Sequence, residues 1–258
     1  MVRLKADAAT GGDGNRFVTT HWSMVLSCGR EGSSEKRSQQ ALSELCRTYW
    51  RPIYAFVCRR GYSEPDAQDL TQDFFVRILE GNLLPLADPN RGRFRTLLLC
   101  ALQNFLADNR DRLKSKKRGG HVNFVQWEDW IAESPSYLSM NSRQLETFSA
   151  QQIFDIRWAA TVAEQALRRL GVECESRGRR RVFDILNRYL TTDRTEVSYS
   201  KLAVLLNIPE VTVKQLLHRL RVRYRTFLRD EVVQTLESGA ELEDEIRYLC
   251  AALSNGIE

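Results

Sequence analysis

Long apolar runs, histidine and paired cysteines are the features that this sequence of 258 residues has least of. The longest uninterrupted apolar run is the stretch from Leu97 to Leu102, whereas a helix needs about 20 apolar residues to span a bilayer. The first residues contain no continuous apolar block of the kind found in a signal peptide. We therefore expect a cytoplasmic protein with no membrane partner.

Catalytic and metal-binding patterns are also missing. The three histidines are isolated from any plausible nucleophile or ligand set, and there is no Walker loop or GxSxG elbow. The six cysteines form no CxxC pair, which excludes zinc fingers and gives no support to a disulfide framework. The sequence thus predicts a protein that is not an enzyme, with no cofactor, no metal and free thiols. The cysteines are Cys28, Cys46, Cys58, Cys100, Cys174 and Cys250.

Charge is present in abundance but is unevenly distributed. The net charge is only +5, yet residues 91–120 carry nine Lys or Arg against two Asp, and residues 200–229 carry seven against one Glu. Residues 230–258 carry eight acids against one Arg. Two basic blocks followed by an acidic tail are typical of a protein that contacts one polyanion twice. The alternative is two solvated helix faces.

Apolar residues recur at helical spacing along the chain, with no alternating β pattern of useful length. We predict an all-α protein in which two helical domains are joined by a flexible linker. The predicted units are a disordered N-terminus (1–16), a first domain (17–120), a linker (121–150), a second domain (151–233) and an acidic C-terminal extension with a short helix (234–258). Pro52 is predicted to kink or restart its helix, Gly61 to end it, and Ser63 to cap the next one.

Residues 198–233 have the pattern of a helix-turn-helix. A first helix would bury Leu202, and Asn207 stands where the turn needs left-handed geometry. The second helix would bury Val213, Leu216, Leu220, Tyr224 and Phe227. Its opposite face carries polar and basic groups near the N-terminal end, where recognition helices read bases. The candidate DNA-contacting residues are Thr212, Lys214, Gln215, His218, Arg219 and Arg221. The alternative is a helical hairpin that only packs.

Two further segments carry charge in a pattern. Between residues 66 and 79, an apolar stripe is opposed by an acidic face formed by Asp66, Asp69, Gln72 and Asp73. A Mg²⁺ site is disfavoured, because no second acidic cluster or phosphate-binding glycine loop accompanies these residues. The alternatives are a solvated face and a docking face for a basic partner helix. In residues 91–120, basic groups and amides accompany aromatic residues, a combination that suits partly melted DNA. The candidates there are Phe94, Asn104, Asn109, Arg110, Arg112, Lys116 and Lys117.

Taken in order, these segments resemble the extracytoplasmic-function (ECF) class of sigma-70-type RNA polymerase sigma factors, in particular the subgroup with a C-terminal extension. The resemblance extends from Phe17 to Ser254 and is weakest across 121–150 and 171–195. The matching strings are TTHWSMVL (19–26), YWRPIYAFVCRRGYSEPDAQDLTQDFFVRIL (49–79), ADPNRGRFRTLLLCALQNFLADNRDR (87–112), FDIRWA (154–159), YSKLAVLLNIPEVTVKQLLHRLRVRYRTFLRDEV (199–232) and EDEIRYLCAALS (243–254).

The resemblance implies a promoter-specificity subunit without catalysis of its own. Asp69, Gln72 and Asp73 match the motif of region 2.2, which docks on the β′ clamp of core RNA polymerase. Residues 93–118 correspond to regions 2.3 and 2.4, which capture and melt the −10 element, and Asn104 stands at a position associated with that contact. Residues 200–229 correspond to region 4.2, which reads the −35 element.

The partners that the resemblance implies are core polymerase through its β′ clamp and β flap, promoter DNA and a potential anti-sigma factor. Two other functions are alternatives. The first is a helix-turn-helix regulator that acts without joining polymerase, which would need neither the acidic face nor the second basic block. The second is an enzyme acting on nucleic acid, which the isolated histidines disfavour. For the tail, we expect packing against the second domain or the linker and a lower DNA affinity of the free factor.

Overall fold

The computed structural model describes residues 35–79, 93–113, 147–236 and 242–255, and within these ranges it contains helices and no strand. The all-α prediction is therefore confirmed for the described part of the chain. None of the helices found there has the length and apolarity needed to cross a membrane. The α-helices are α1 (Glu35–Arg59), α2 (Glu64–Leu79), α3 (Phe94–Leu113), α4 (Ala150–Ser176), α5 (Arg180–Leu186), α6 (Tyr199–Leu206), α7 (Glu210–Gln234) and α8 (Leu242–Asn255), with a 3₁₀ turn at Asn187–Tyr189.

The helix ends follow the local signals in the sequence. Gly61 has a φ of 92° just after α1, a conformation that glycine adopts without a steric penalty. The Ser63 hydroxyl accepts the backbone N–H of Asp66 at 3.3 Å and thus caps α2 as predicted. Ser149 caps α4 in a reciprocal pair with Gln152. The N-terminal residues 1–34 and the linker residues 121–146 lie outside the described residues.

The prediction that Pro52 restarts its helix is wrong, because α1 runs through it from Glu35 to Arg59. Tyr49 and Ile53, on either side of the proline, are completely buried. One turn earlier, the side-chain amide of Gln165 donates to the carbonyl of Arg47 at 2.9 Å. Tertiary packing around this turn therefore offsets the backbone hydrogen bond that proline cannot make.

A first core lies among α1, α2 and α3. It contains the apolar stripe of α2 (Leu70, Phe74 and Ile78) and Leu98, Ala101 and Phe105 of α3, which recur at helical spacing. Phe74 and Phe105 are in tilted contact, with 5.5 Å between their ring centroids. The N-terminal half of α4 also belongs to this core, since Phe154 and Trp158 are fully buried in it. The first core is therefore built from both predicted domains.

A second core is formed by the C-terminal half of α4 with α5, α6 and α7. Ala166, Leu170 and Cys174 continue along the same helix that carries Phe154 and Trp158. Near the end of α7, Val232 and Leu236 return to the first core. The long helix α4 and the end of α7 thus join the two cores, and the predicted domain boundary at residue 151 falls at the start of a shared helix.

Asn207 occupies the turn between α6 and α7 in the left-handed conformation, with φ 54° and ψ 47°. This confirms the backbone geometry predicted for it. Because a residue with a Cβ pays about 1–2 kcal/mol in this region unless its side chain compensates locally, we expect Asn207→Ala to lower the free energy of unfolding by about 1 kcal/mol. Asn207→Gly should cost less than half of that. Urea unfolding followed by circular dichroism measures the free energy of unfolding of both variants. An equal decrease in the two variants would contradict a left-handed backbone conformation as the cause.

Candidate nucleic-acid interface and docking face

The α6–α7 hairpin, residues 199–234, presents its apolar side to the second core. Leu202, Val213, Leu220 and Phe227 are buried as predicted. The sequence pattern placed Leu216 in the stripe but omitted Leu217, which is 1% exposed, whereas Leu216 is half-buried. Adjacent leucines are difficult to separate by periodicity alone because they differ by only 100° around the helix.

Most of the predicted DNA-contacting residues of α7 are accessible. Lys214, Gln215, His218 and Arg219 are exposed, and Thr212 is half-buried. They lie in the first three turns of the helix, beyond the turn at Asn207. This end of α7 can therefore present a cationic and hydrogen-bonding surface to a phosphate backbone and to base edges.

Local ion pairs modify this surface. The Lys214 ammonium group is 2.8 Å from the carboxylate of Glu210, one turn earlier on α7, and both side chains are about half exposed. Exposed pairs of this type contribute little to stability, so the ammonium group can exchange Glu210 for another anion. A phosphate approaching here would also meet the negative charge of Glu210.

Arg221, also predicted to contact DNA, serves the fold instead. Its Nη2 donates to the carbonyl oxygens of Tyr189 at 2.8 Å and Thr192 at 2.6 Å, and the side chain is half-buried. These bonds connect α7 to the last residue of the 3₁₀ turn and to the segment that follows it. Because its guanidinium group is bonded to these backbone carbonyl groups, Arg221 does not belong to the exposed basic residues that can face DNA.

Three apolar side chains near the start of the hairpin were not identified from the sequence. Val204 and Leu205 of α6 and Val211 of α7 are 83%, 56% and 64% exposed. Apolar side chains beside a recognition surface can contact thymine methyl groups in the major groove. Helical periodicity could have revealed them, because they fall outside the stripe that contains Leu202 and Val213.

The acidic face of α2 is largely exposed. Asp66, Asp69 and Asp73 are exposed, and Gln72 is half-buried. Partial burial and the adjacent charge of Asp69 raise the pKa of Asp73, against the opposing effect of Arg77. Asp69 and Asp73 lie one helical turn apart and carry like charges, so a cationic partner bound at this face would relieve their repulsion. Asp66 has an additional local role, since the Ser63 hydroxyl donates to its carboxylate at 2.6 Å.

The predicted nucleic-acid residues of α3 have mixed positions. Asn104 is exposed and Asn109 is half-buried. The interpretation of Phe94 as a base-stacking residue is wrong for this arrangement, because its ring is 1% exposed and packs at 5.5 Å from Tyr49. The side chains of Arg110 and Arg112, and all of Lys116 and Lys117, lie outside the described positions.

A buried ionic cluster at the start of α3 is absent from the sequence-based predictions. Arg95 is 6% exposed and donates to Glu245 of α8 from Nε at 2.9 Å, and to Asp155 of α4 from Nη1 at 3.1 Å. Arg93 approaches the same Glu245 carboxylate at 2.9 Å. The Tyr248 hydroxyl donates to Asp155 at 2.7 Å; burial, together with this bond, raises the pKa of the phenol.

Aromatic faces complete this cluster. The guanidinium carbon of Arg95 lies 3.9 Å from the ring centroid of Tyr248 and 4.9 Å from that of Trp158. A buried cation held by two carboxylates and two rings is well compensated for its lost hydration. No single segment of the sequence predicts it, because the partners come from three helices.

Among the described residues, no group of three or more His, Cys, Asp or Glu side chains is placed to hold a metal ion. Five of the predicted free thiols lie in the described ranges and are free: Cys46, Cys58, Cys100, Cys174 and Cys250. Burial raises the pKa of Cys46 to about 12, which leaves that thiol unreactive. Comparison of the chain with protein-family models, curated proteins and solved structures found no match.

Proposed function

We propose that this chain is a sigma factor of the ECF type, which joins core RNA polymerase and directs it to promoters. The proposal is supported by three surfaces that occur in one chain in the order of that family. They are the acidic face of α2, the amide- and arginine-bearing helix α3, and the basic end of the α6–α7 hairpin, interpreted as a helix-turn-helix.

The observation that carries the proposal is the exposure of opposite charges on two separate helices. DNA binding alone does not account for a face of α2 with three exposed aspartates, because that face would repel phosphates. A basic helix of a protein partner would instead be attracted to them, and electrostatic complementarity of this kind fixes the register and the choice of partner. The exposed groups Lys214, Gln215 and Arg219 then suit duplex DNA.

The mechanism in this proposal is differential binding. Core polymerase supplies the chemistry, and its β′ clamp would contact Asp69, Gln72 and Asp73. The start of α7 would read the −35 element as duplex, whereas Asn104 and Asn109 on α3 would contact unpaired bases of the −10 element through amide hydrogen bonds. A finer prediction, that Arg110, Arg112, Lys116 and Lys117 assist that contact, is part of the same proposal.

Copurification tests this function directly. A tagged full-length chain mixed with purified core polymerase at moderate salt should elute with it as a stoichiometric complex on size-exclusion chromatography. The alternative function, a DNA-binding regulator that does not join polymerase, predicts separate elution together with retained binding to DNA. Separate elution at every salt concentration tested would reject the sigma-factor proposal.

A further inference from the structure

The acidic tail helix α8 contacts both parts of the predicted DNA-binding apparatus. Its Leu249 and Ala252 are buried in the first core, together with Val232 and Leu236 from the end of α7. Its first turn also contacts α7, because Glu243 forms an ion pair with Arg229. The tail helix therefore packs on α7, which belongs to the predicted second domain, and extends from there to α3.

Glu245 makes the ionic contact between α8 and the start of α3, beside the Tyr248 ring that stacks on Arg95. Glu245 is 1% exposed, and its two carboxylate oxygens accept from Arg95 at 2.9 and 3.4 Å. Arg93, with a side chain that is 29% exposed, reaches the same group at 2.9 Å. Both arginines belong to the basic block at residues 91–120. Glu245 thus occupies guanidinium groups at the start of the helix proposed to bind nucleic acid.

The Glu245 carboxylate bonds to Arg93 and Arg95 in the way that a phosphate group would. A carboxylate that accepts a bidentate bond from one guanidinium group and a single bond from a second satisfies the same donors that a phosphate would. A buried ion pair adds little net stability over apolar packing, but it specifies which surfaces meet. When α8 leaves, Arg93 is the first of these groups to become available to another anion.

We infer that α8 is an intramolecular latch in which Glu245 takes the place of a nucleic-acid phosphate on Arg93 and Arg95. The latch keeps the start of α3 neutralised in the free chain and is released when nucleic acid or core polymerase binds. This inference rests on the proposed function for its biological role, but its physical content, competition between α8 and a phosphate backbone, does not require polymerase. A latch differs from a helix that only stabilises the fold, because such a helix would leave the affinity for nucleic acid unchanged.

The test compares Glu245→Gln with Asp244→Asn in the full-length protein. Both remove one negative charge from the same turn of α8, but Asp244 is exposed and pairs with Arg247 on its own helix. The probe is a labelled oligothymidylate of about 20 nucleotides, titrated without polymerase and followed by fluorescence anisotropy. Glu245→Gln should bind about tenfold more tightly, as expected when a competing closed state is depopulated. Asp244→Asn should bind like wild type.

The salt dependence of oligonucleotide binding shows how many basic groups become available when Glu245 is replaced. Each phosphate contact to a single strand adds about 0.7 to the slope of log K against log salt, so Glu245→Gln should steepen the slope by about 0.7–1.4. Arg93→Gln in the Glu245→Gln background should return the affinity most of the way to wild type. Circular dichroism checks that each variant keeps its helices.

Glu245→Asp provides a second variant if Glu245→Gln does not fold, because it keeps the buried negative charge and shortens the side chain by one methylene group. The shorter side chain reaches Arg93 and Arg95 less well, so the affinity should rise by a smaller factor than in Glu245→Gln. Wild-type affinity in each of these variants that keeps its helices would overturn the latch. Because no polymerase is present, that result is distinct from a failure to copurify with core polymerase, which would reject the proposed function and leave the latch standing.

Discussion

Reversal of both Asp69 and Asp73 to lysine is expected to weaken the binding of core polymerase by roughly one to three orders of magnitude while leaving the fold intact. Both side chains are exposed, one helical turn apart, and opposite the buried stripe of α2. Lysines placed against a basic clamp cost several kcal/mol of binding free energy. A loss of about 2–4 kcal/mol in binding free energy raises the Kd roughly 30- to 900-fold. The fold should tolerate the change, because neither carboxylate belongs to the buried core.

A matched reversal controls for the change in net charge. Glu175 and Glu196 are exposed and lie outside α2 and outside the α6–α7 hairpin. Glu175→Lys combined with Glu196→Lys alters the total charge by the same amount and should keep wild-type affinity. Size-exclusion chromatography with core polymerase, supported by a titration at fixed salt, measures both pairs. Retention of wild-type affinity by the Asp69→Lys and Asp73→Lys double variant would show that α2 is not the docking face.

Removal of Lys214 and Arg219 should weaken binding to duplex DNA and flatten its salt dependence. Every duplex phosphate that the protein no longer neutralises reduces the slope by about 0.9, so the double alanine variant should have a slope that is shallower by about 1–2. Of the two single variants, Arg219→Ala should reduce the slope more than Lys214→Ala, because Glu210 already offsets the charge of Lys214. Arg181→Ala on α5 removes an exposed arginine outside the hairpin and should have little effect.

The Glu210 carboxylate offers a gain-of-function check on the same surface. Glu210→Gln removes the partner of Lys214 and a charge that phosphates would meet, so it should tighten duplex binding by a few fold. Fluorescence anisotropy over a series of salt concentrations measures these variants together. An unchanged slope in the double alanine variant would place the duplex-binding surface elsewhere.

Local rules predicted most of the helices correctly. The Ser63 cap, the glycine at residue 61 and the left-handed Asn207 each depend on residues within one turn. The buried faces of α2, α3 and α7 follow from helical spacing, because one side of each helix packs on a core. Such signals are present in any short window of the sequence.

Contacts between distant segments were not predictable in the same way. The Arg95–Glu245 pair joins positions 150 residues apart. The residues near Arg95 in the sequence do not indicate that Glu245 is its partner, and the same holds in reverse. Helical spacing places Phe94 on the apolar face of α3, and its contact with Tyr49 agrees with that position, so only the base-stacking role proposed for its ring is wrong. Arg221 resembles its exposed basic neighbours in sequence, and only the path of residues 189–192 determines that it turns inward.

Promoter opening by core polymerase together with this chain is the defining activity of a sigma factor, and permanganate mapping measures it. Core polymerase and the full-length chain are incubated with genomic fragments that the complex retains, and unpaired thymines are mapped with permanganate. We expect reactive thymines around the transcription start only when both components are present, and we expect the reactivity to be lost in the Asp69→Lys and Asp73→Lys double variant. DNA that stays unreactive although the chain and core polymerase are both bound to it would contradict the assignment as a sigma factor.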